Sequence, residues 1–180
     1  LPFVNRVEEL ERLRRASRGG QSRLAVVYGR RRLGKSRLVT VALGKLRHVY
    51  YLADEREAAL QRDALARQIA RLVPGFDRVG YPDWDALLER WWHEAPRGAT
   101  LAIDELPSLV ASAPELPSLL QRRIDAATDG GPHLWLLGSS QRLMQGLTLD
   151  QTAPLYGRAS EILKLAPLGC AWIGKALGVR

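Results

Sequence analysis

The chain has 180 residues, a formal net charge of +8, 46% hydrophobic and 26% charged residues, the balance of a globular domain able to bury its own core. Its longest apolar runs, such as "LAVVY", are far too short to cross a bilayer, no stretch has the build of a secretory leader, and the single cysteine, Cys170, excludes an internal disulfide. The expectations are a reducing cytoplasm, no membrane and, because the first residue is Leu1 rather than methionine, a piece of a longer protein.

In chain order, "NRVEELERLRRAS" predicts a helix with Val7, Leu10 and Leu13 on one side and Asn5 as its cap. "GGQS" breaks it. "RLAVVYG" is a continuous apolar run ending in glycine, as expected of a strand covered on both faces. "KSRLVTVALGKL" predicts a helix and "HVYYLA" a second strand. Residues 55–72 predict a long amphipathic helix with Leu60, Leu65, Ile69 and Leu72 on or near one side, followed by the loop "PGFDRVGYP". "DWDALLERWWHEA" is a helix with a good cap, carrying Leu87, Leu88, Trp91 and Trp92. "TLAIDE" is a third strand ending in two carboxylates, and residues 115–128 a helix. "HLWLLGSS" is a fourth strand, "QRLMQGL" a short helix, "LTLDQTAPLYGRAS" a long loop, "EILKLAPL" a fifth strand and "CAWIGKAL" a terminal helix.

Strands that alternate with helices and are apolar throughout predict an α/β fold: a mainly parallel sheet sandwiched between helices. Ligands of such sheets bind beyond the carboxyl ends of the strands. Three chemically loaded segments, the glycine after "LAVVY", the "DE" of "LAIDE" and the "GSS" of "LLGSS", all fall at such ends.

The first is "YGRRRLGKSRL". Gly29, Gly34, Lys35 and Ser36 fit the pattern G-x-x-x-x-G-K-[ST] between a strand and a helix. Glycines let the backbone curl so that successive N–H groups face phosphate oxygens, and the helix N-terminus adds partial positive charge. Lys35 would reach the β- and γ-phosphates, and Ser36 would hold Mg²⁺ through its hydroxyl. The side chains of Arg30, Arg31 and Arg32 need not touch phosphate; their charge raises the local potential and draws nucleotide in. Asp104 supplies the oxygen chemistry a hydrated Mg²⁺ wants, and Glu105 can serve as general base for an attacking water. Ser139 or Ser140 can meet the γ-phosphate or the water, or merely cap the following helix. Arg158, in a loop expected near the same edge, can neutralise charge in phosphoryl transfer within the chain or in a neighbouring subunit, or be a surface arginine.

Other constellations are poorer. His48, His93 and His133 lack metal-ligand spacing. Trp84, Trp91, Trp92, Trp135 and Trp172 suit packing better than base stacking. The arginine-rich charge fits a nucleotide or nucleic-acid partner equally well, or a compositional bias alone.

Taken in order, "FVNRVEELERL", "VYGRRRLGKSRL", "LAIDELPSLV", "LWLLGSSQRLMQGL" and "APLYGRASEILKLAPL" resemble the archaeal-type P-loop ATPases of the AAA+/STAND group, from Phe3 to about Leu168. The resemblance implies a three-layer P-loop sandwich with five parallel strands, in which another strand separates those carrying the phosphate loop and Asp104-Glu105. It implies ATP and Mg²⁺ as ligands and slow hydrolysis; the expected role is that of a motor or switch, and a homo-oligomer is among the expected partners. By that resemblance the cradle runs through Gly29, Arg30, Arg31, Arg32, Leu33, Gly34, Lys35, Ser36 and Arg37, Asn5 and Arg6 lie near adenine, Ser36 and Asp104 hold Mg²⁺, Glu105 is the base and Ser139 or its neighbour the polar sensor. Residues 1–20 would form the adenine-side segment, 21–168 the core and 169–180 the start of a helical and winged-helix region. The alternative is a nucleic-acid-binding module whose phosphate loop only regulates it.

Overall fold

The computed structural model describes residues 5–18, 23–127 and 129–169. Five strands form one parallel sheet: β1 (Leu24–Tyr28), β2 (His48–Leu52), β3 (Thr100–Asp104), β4 (His133–Gly138) and β5 (Ala159–Lys164). Their order is β2-β3-β4-β1-β5. β4 therefore lies between the strand that enters the phosphate loop and the strand that ends in Asp104, as the resemblance implies. Three central strands, β1, β3 and β4, are buried along their whole length, which is why their sequences read as unbroken apolar runs.

Alternation of side chains across the strands divides the core in two. On one face, Ala25, Val27, Ala102, Trp135 and Leu137 pack against Leu13 and Ala16 of α1 (Val7–Ala16) and Leu38, Val39, Ala42 and Leu43 of α2 (Lys35–Leu43). On the other, Leu24, Val26, Val49, Tyr51, Leu101, Ile103, Leu134 and Leu136 meet a larger set of helices. These are α3 (Ala58–Ile69), α4 (Trp84–Glu94), α5 (Leu106–Ser112), α6 (Leu116–Asp125) and α7 (Gln141–Thr148). Asp83 caps α4, its carboxylate accepting from the Ala86 N–H at 2.8 Å.

Several expectations are corrected. The edge strands β2 and β5 are not covered on both faces; their side chains alternate or lie largely open. Leu60 on α3 and Val7 on α1 share the helical spacing of the apolar residues but are exposed. Asn5 does not cap α1: Arg6 takes the cap position in a left-handed conformation, with no side-chain cap bond. The seven-residue α5, with proline in its first turn, follows Glu105 directly, a helix the sequence pattern does not separate. Trp84, Trp91 and Trp135 are buried core residues, and Trp92 packs partly against the larger core. The terminal helix "CAWIGKAL", with Trp172, lies outside the described residues.

Candidate functional site

The loop between β1 and α2 owes its path to two glycines. A side chain at Gly29 would put its Cβ 2.7 Å from the Leu165 carbonyl oxygen, so only glycine lets the chain turn so close to the segment leaving β5. Gly34, at φ 84°, takes a left-handed conformation immediately before α2. Leu33 is half-buried against the α1/α2 core and anchors the loop, whereas Arg30, Arg31, Arg32 and Arg37 are exposed.

Inside that loop Lys35 is 6% exposed. Its ammonium donates to the carbonyls of Gly29 at 2.9 Å and Arg30 at 3.1 Å. Burial lowers its pKa, opposed by the attraction of Glu105 and Asp104 and reinforced by the charge of Arg31. Ser36, one residue on, donates its hydroxyl to Asp104 Oδ2 at 2.5 Å. The phosphate loop and the end of β3 are thus joined by a hydroxyl–carboxylate contact across the strand between them.

Asp104 is 1% exposed, yet its carboxylate is well supplied. Oδ1 accepts the Glu105 N–H at 2.9 Å, and Oδ2 accepts both Ser36 and the hydroxyl of Tyr50 from β2. Burial and the bond to Asp104 push the Tyr50 phenol well above its ordinary pKa, so it remains a donor. Glu105 itself has φ 55° and ψ 46°, a left-handed conformation unusual for a residue with a side chain. Its Oε2 accepts the Ser139 hydroxyl at 2.8 Å and the Ser139 N–H at 3.2 Å. Ser140 does something else: its oxygen accepts the Leu143 N–H and caps α7. Arg31, Glu105, Ser108, Ser139 and Ser140 all line one cleft of about 470 Å³.

Among the expected residues, the structure therefore brings Lys35, Ser36, Asp104, Glu105 and Ser139 together, with Arg31 beside them. It does not bring Arg158. Arg158 precedes β5 at the level of Leu24, the start of β1, so it stands at the opposite edge of the sheet. Five residues of strand separate the edges by roughly 16 Å. There it forms a two-pronged pair with Asp125, both bonds at 2.7 Å, and also donates to the Pro154 and Tyr156 carbonyls. Arg6 is buried and donates to Glu9 and to the Ala166 carbonyl, which ties α1 to the segment leaving β5; Asn5 is exposed. Tyr50 is the residue at this edge that the sequence pattern does not single out. Its only signal is position: it lies on the same face of the sheet as Asp104, which emerges once β2 is known to neighbour β3.

Among the described residues no group of three or more His, Cys, Asp or Glu side chains could hold a metal by itself. A Ser hydroxyl beside a single carboxylate is nevertheless a hard oxygen donor set, suited to an ion that keeps water and phosphate as its other ligands. No helix among the described residues is long and apolar enough to cross a membrane.

Residues 3–172 match the family of ATPase domains found predominantly in Archaea. This chain belongs to that family. The ATPase domain is 32% identical over 167 residues to an uncharacterized protein of Methanocaldococcus jannaschii, a match spanning 92% of this chain but 36% of that protein. Its fold is similar to the Walker-type ATPase PABY2304 of Pyrococcus abyssi (TM-score 0.70, 18% identity, 99% of this chain and 60% of that one). It is similar also to the ORC1 protein of Aeropyrum pernix solved with DNA (TM-score 0.67, 23% identity, 98% and 49%). The ORC2 protein of the same organism, solved with ADPNP and ADP, matches with TM-score 0.66 and 18% identity over 99% and 52%. At these identities the likeness is one of fold. The ATPase domain spans about a third of the curated relative's length.

Proposed function

We propose that this domain binds ATP with Mg²⁺ at the carboxyl edge of the sheet and hydrolyses it slowly to ADP and phosphate. In this reading residues 1–180 form one nucleotide-binding core of the STAND type, and the nucleotide state switches an effector region carried elsewhere. The observation that carries it is the Ser36–Asp104 contact, 2.5 Å long, between the phosphate loop and the end of β3.

The loop N–H groups and the N-terminus of α2 receive the phosphates. Lys35 leaves the Gly29 and Arg30 carbonyls for the β- and γ-phosphates. Ser36 and Asp104 are the residues that would hold Mg²⁺, which supplies neutralising charge to the phosphate oxygens. Glu105, aimed by Ser139, takes the proton of a water as that water attacks the γ-phosphorus. The bond to the bridging oxygen breaks and ADP leaves. The general ATPase assignment of the family and the nucleotide complexes of one fold relative support this reading.

The test is equilibrium binding of a fluorescent ATP analogue. Lys35→Ala should weaken it at least about a hundredfold, the scale of losing charge-assisted bonds to two phosphates. Binding unaffected by that change would sink the proposal. The exposed Arg30, Arg31 and Arg32 keep a nucleic-acid-binding module as the second reading. A steep fall of DNA affinity with rising salt is its signature.

A further inference from the structure

The geometry points to Tyr50 as the residue that positions Asp104 and makes this site prefer magnesium to calcium. The inference rests on the reading that Ser36 and Asp104 hold the cation of a bound nucleotide.

Tyr50 lies in the middle of β2, in register with Ala102 of β3. Asp104 is two residues beyond Ala102, hence on the same face of the sheet. The phenol runs along that face and donates to Asp104 Oδ2. Its neighbour Tyr51 points to the other face and donates to Gln61 at 3.3 Å. Of two adjacent tyrosines, then, one belongs to the site and one to the core.

A carboxylate offers about four lone-pair positions. Three on Asp104 are taken, by the Glu105 N–H on Oδ1 and by Ser36 and Tyr50 on Oδ2. Ser36 can turn its oxygen towards a cation while its O–H still donates to Asp104. Tyr50 has no such second use: its hydroxyl holds Oδ2 and fixes the plane of the carboxylate. Asp104 is left with one open position, on Oδ1. It can meet a cation or a cation-bound water there, but it cannot embrace an ion with both oxygens. Mg²⁺ needs no more than that, since it keeps several waters in an octahedral shell. Ca²⁺ takes six to eight oxygens and commonly a two-oxygen carboxylate grip. The phenol therefore disfavours the larger ion without touching it.

The bland account of Tyr50 is packing, because its ring lies against the α1/α2 core. Phenylalanine keeps that packing and removes only the hydroxyl. The experiment titrates Mg²⁺ and, separately, Ca²⁺ into the domain with a fluorescent ATP analogue. Wild type, Tyr50→Phe and Tyr51→Phe are compared, with thermal unfolding of each in the absence of divalent ions. In Tyr50→Phe, the midpoint of Mg²⁺-supported binding should rise about tenfold, the usual cost of losing a bond that orients a metal ligand. Ca²⁺-supported binding should hold or improve, so the preference narrows. Tyr51→Phe should lower only the unfolding temperature. An unchanged Mg²⁺ preference in Tyr50→Phe, or parallel losses for both ions, overturns the assignment. Wild-type binding that needs no divalent ion at all overturns the underlying reading of Ser36 and Asp104, and this inference with it.

Discussion

The two edges of the sheet hold polar groups in opposite conditions. At the carboxyl edge the central polar groups are partnered with one another: Lys35 with loop carbonyls, Ser36 and Tyr50 with Asp104, Ser139 with Glu105. At the amino edge, the Thr100 hydroxyl and both ring nitrogens of His133 are buried with no partner among the described residues, although the two side chains sit at paired positions of β3 and β4. Nearby, Arg158 and Asp125 form a clasp open to water. The contrast teaches that polarity alone does not mark a site. At one edge polar groups hold one another in contacts that can be exchanged; at the other, they are sealed in or tied off.

The comparison breaks first if chemistry is not confined to the carboxyl edge. Glu105→Gln keeps an oxygen for Ser139 but loses basicity. Phosphate release should fall about a hundredfold or more while analogue binding persists, the scale for a general base. An unchanged rate would remove Glu105 from the mechanism.

Stability is expected to answer to the amino edge instead. Burial, with the charge of Arg23, lowers the pKa of His133, so the folded protein takes a proton on this imidazole less readily than the unfolded chain does. The unfolded chain takes up a proton near the ordinary histidine value of about 6.5. His133 therefore costs nothing above that pH and destabilises the fold as pH drops below it, by up to about 1.4 kcal/mol per pH unit. Chemical unfolding between neutral pH and mild acid should show this loss, and His133→Leu should flatten it. Equal slopes for the two proteins would mean that the folded state accepts the proton after all.

The smallest effect sharpens the comparison. Arg158→Ala removes a pair whose side chains are 28% and 48% exposed, so it should cost no more than about 1 kcal/mol of stability. Phosphate release should stay within about twofold. A large drop in rate at unchanged stability would bring Arg158 to the site from a neighbouring copy.

What could be read from the sequence follows from how each feature is built. The phosphate loop is contiguous and made by the backbone, so the spacing of Gly29, Gly34, Lys35 and Ser36 exposes it directly. Asp104 and Glu105 are legible because a buried strand must end somewhere, and carboxylates mark the end. Contacts that depend on which strands are neighbours are not legible: Tyr50 is 54 residues from Asp104, and no spacing encodes that β2 lies beside β3. Arg158 misled for a related reason. The loop that carries it leads into a strand, and a loop before a parallel strand lies at the amino edge, away from the ligand side. Leu60 and Val7 fit a helical period, but period gives a face, not whether a neighbour covers it.

The two carbonyl contacts of Lys35 have a further consequence. Its ammonium braces the loop from within, so the curve of the cradle is held by a cation already engaged with two peptide carbonyls. Nucleotide entry is then an exchange of partners rather than a simple addition: phosphate must offer more than two peptide carbonyls do. The calorimetric enthalpy of binding would contain that trade. So would discrimination among anions, because only a ligand that reaches the ammonium and the loop amides together repays the bonds it displaces.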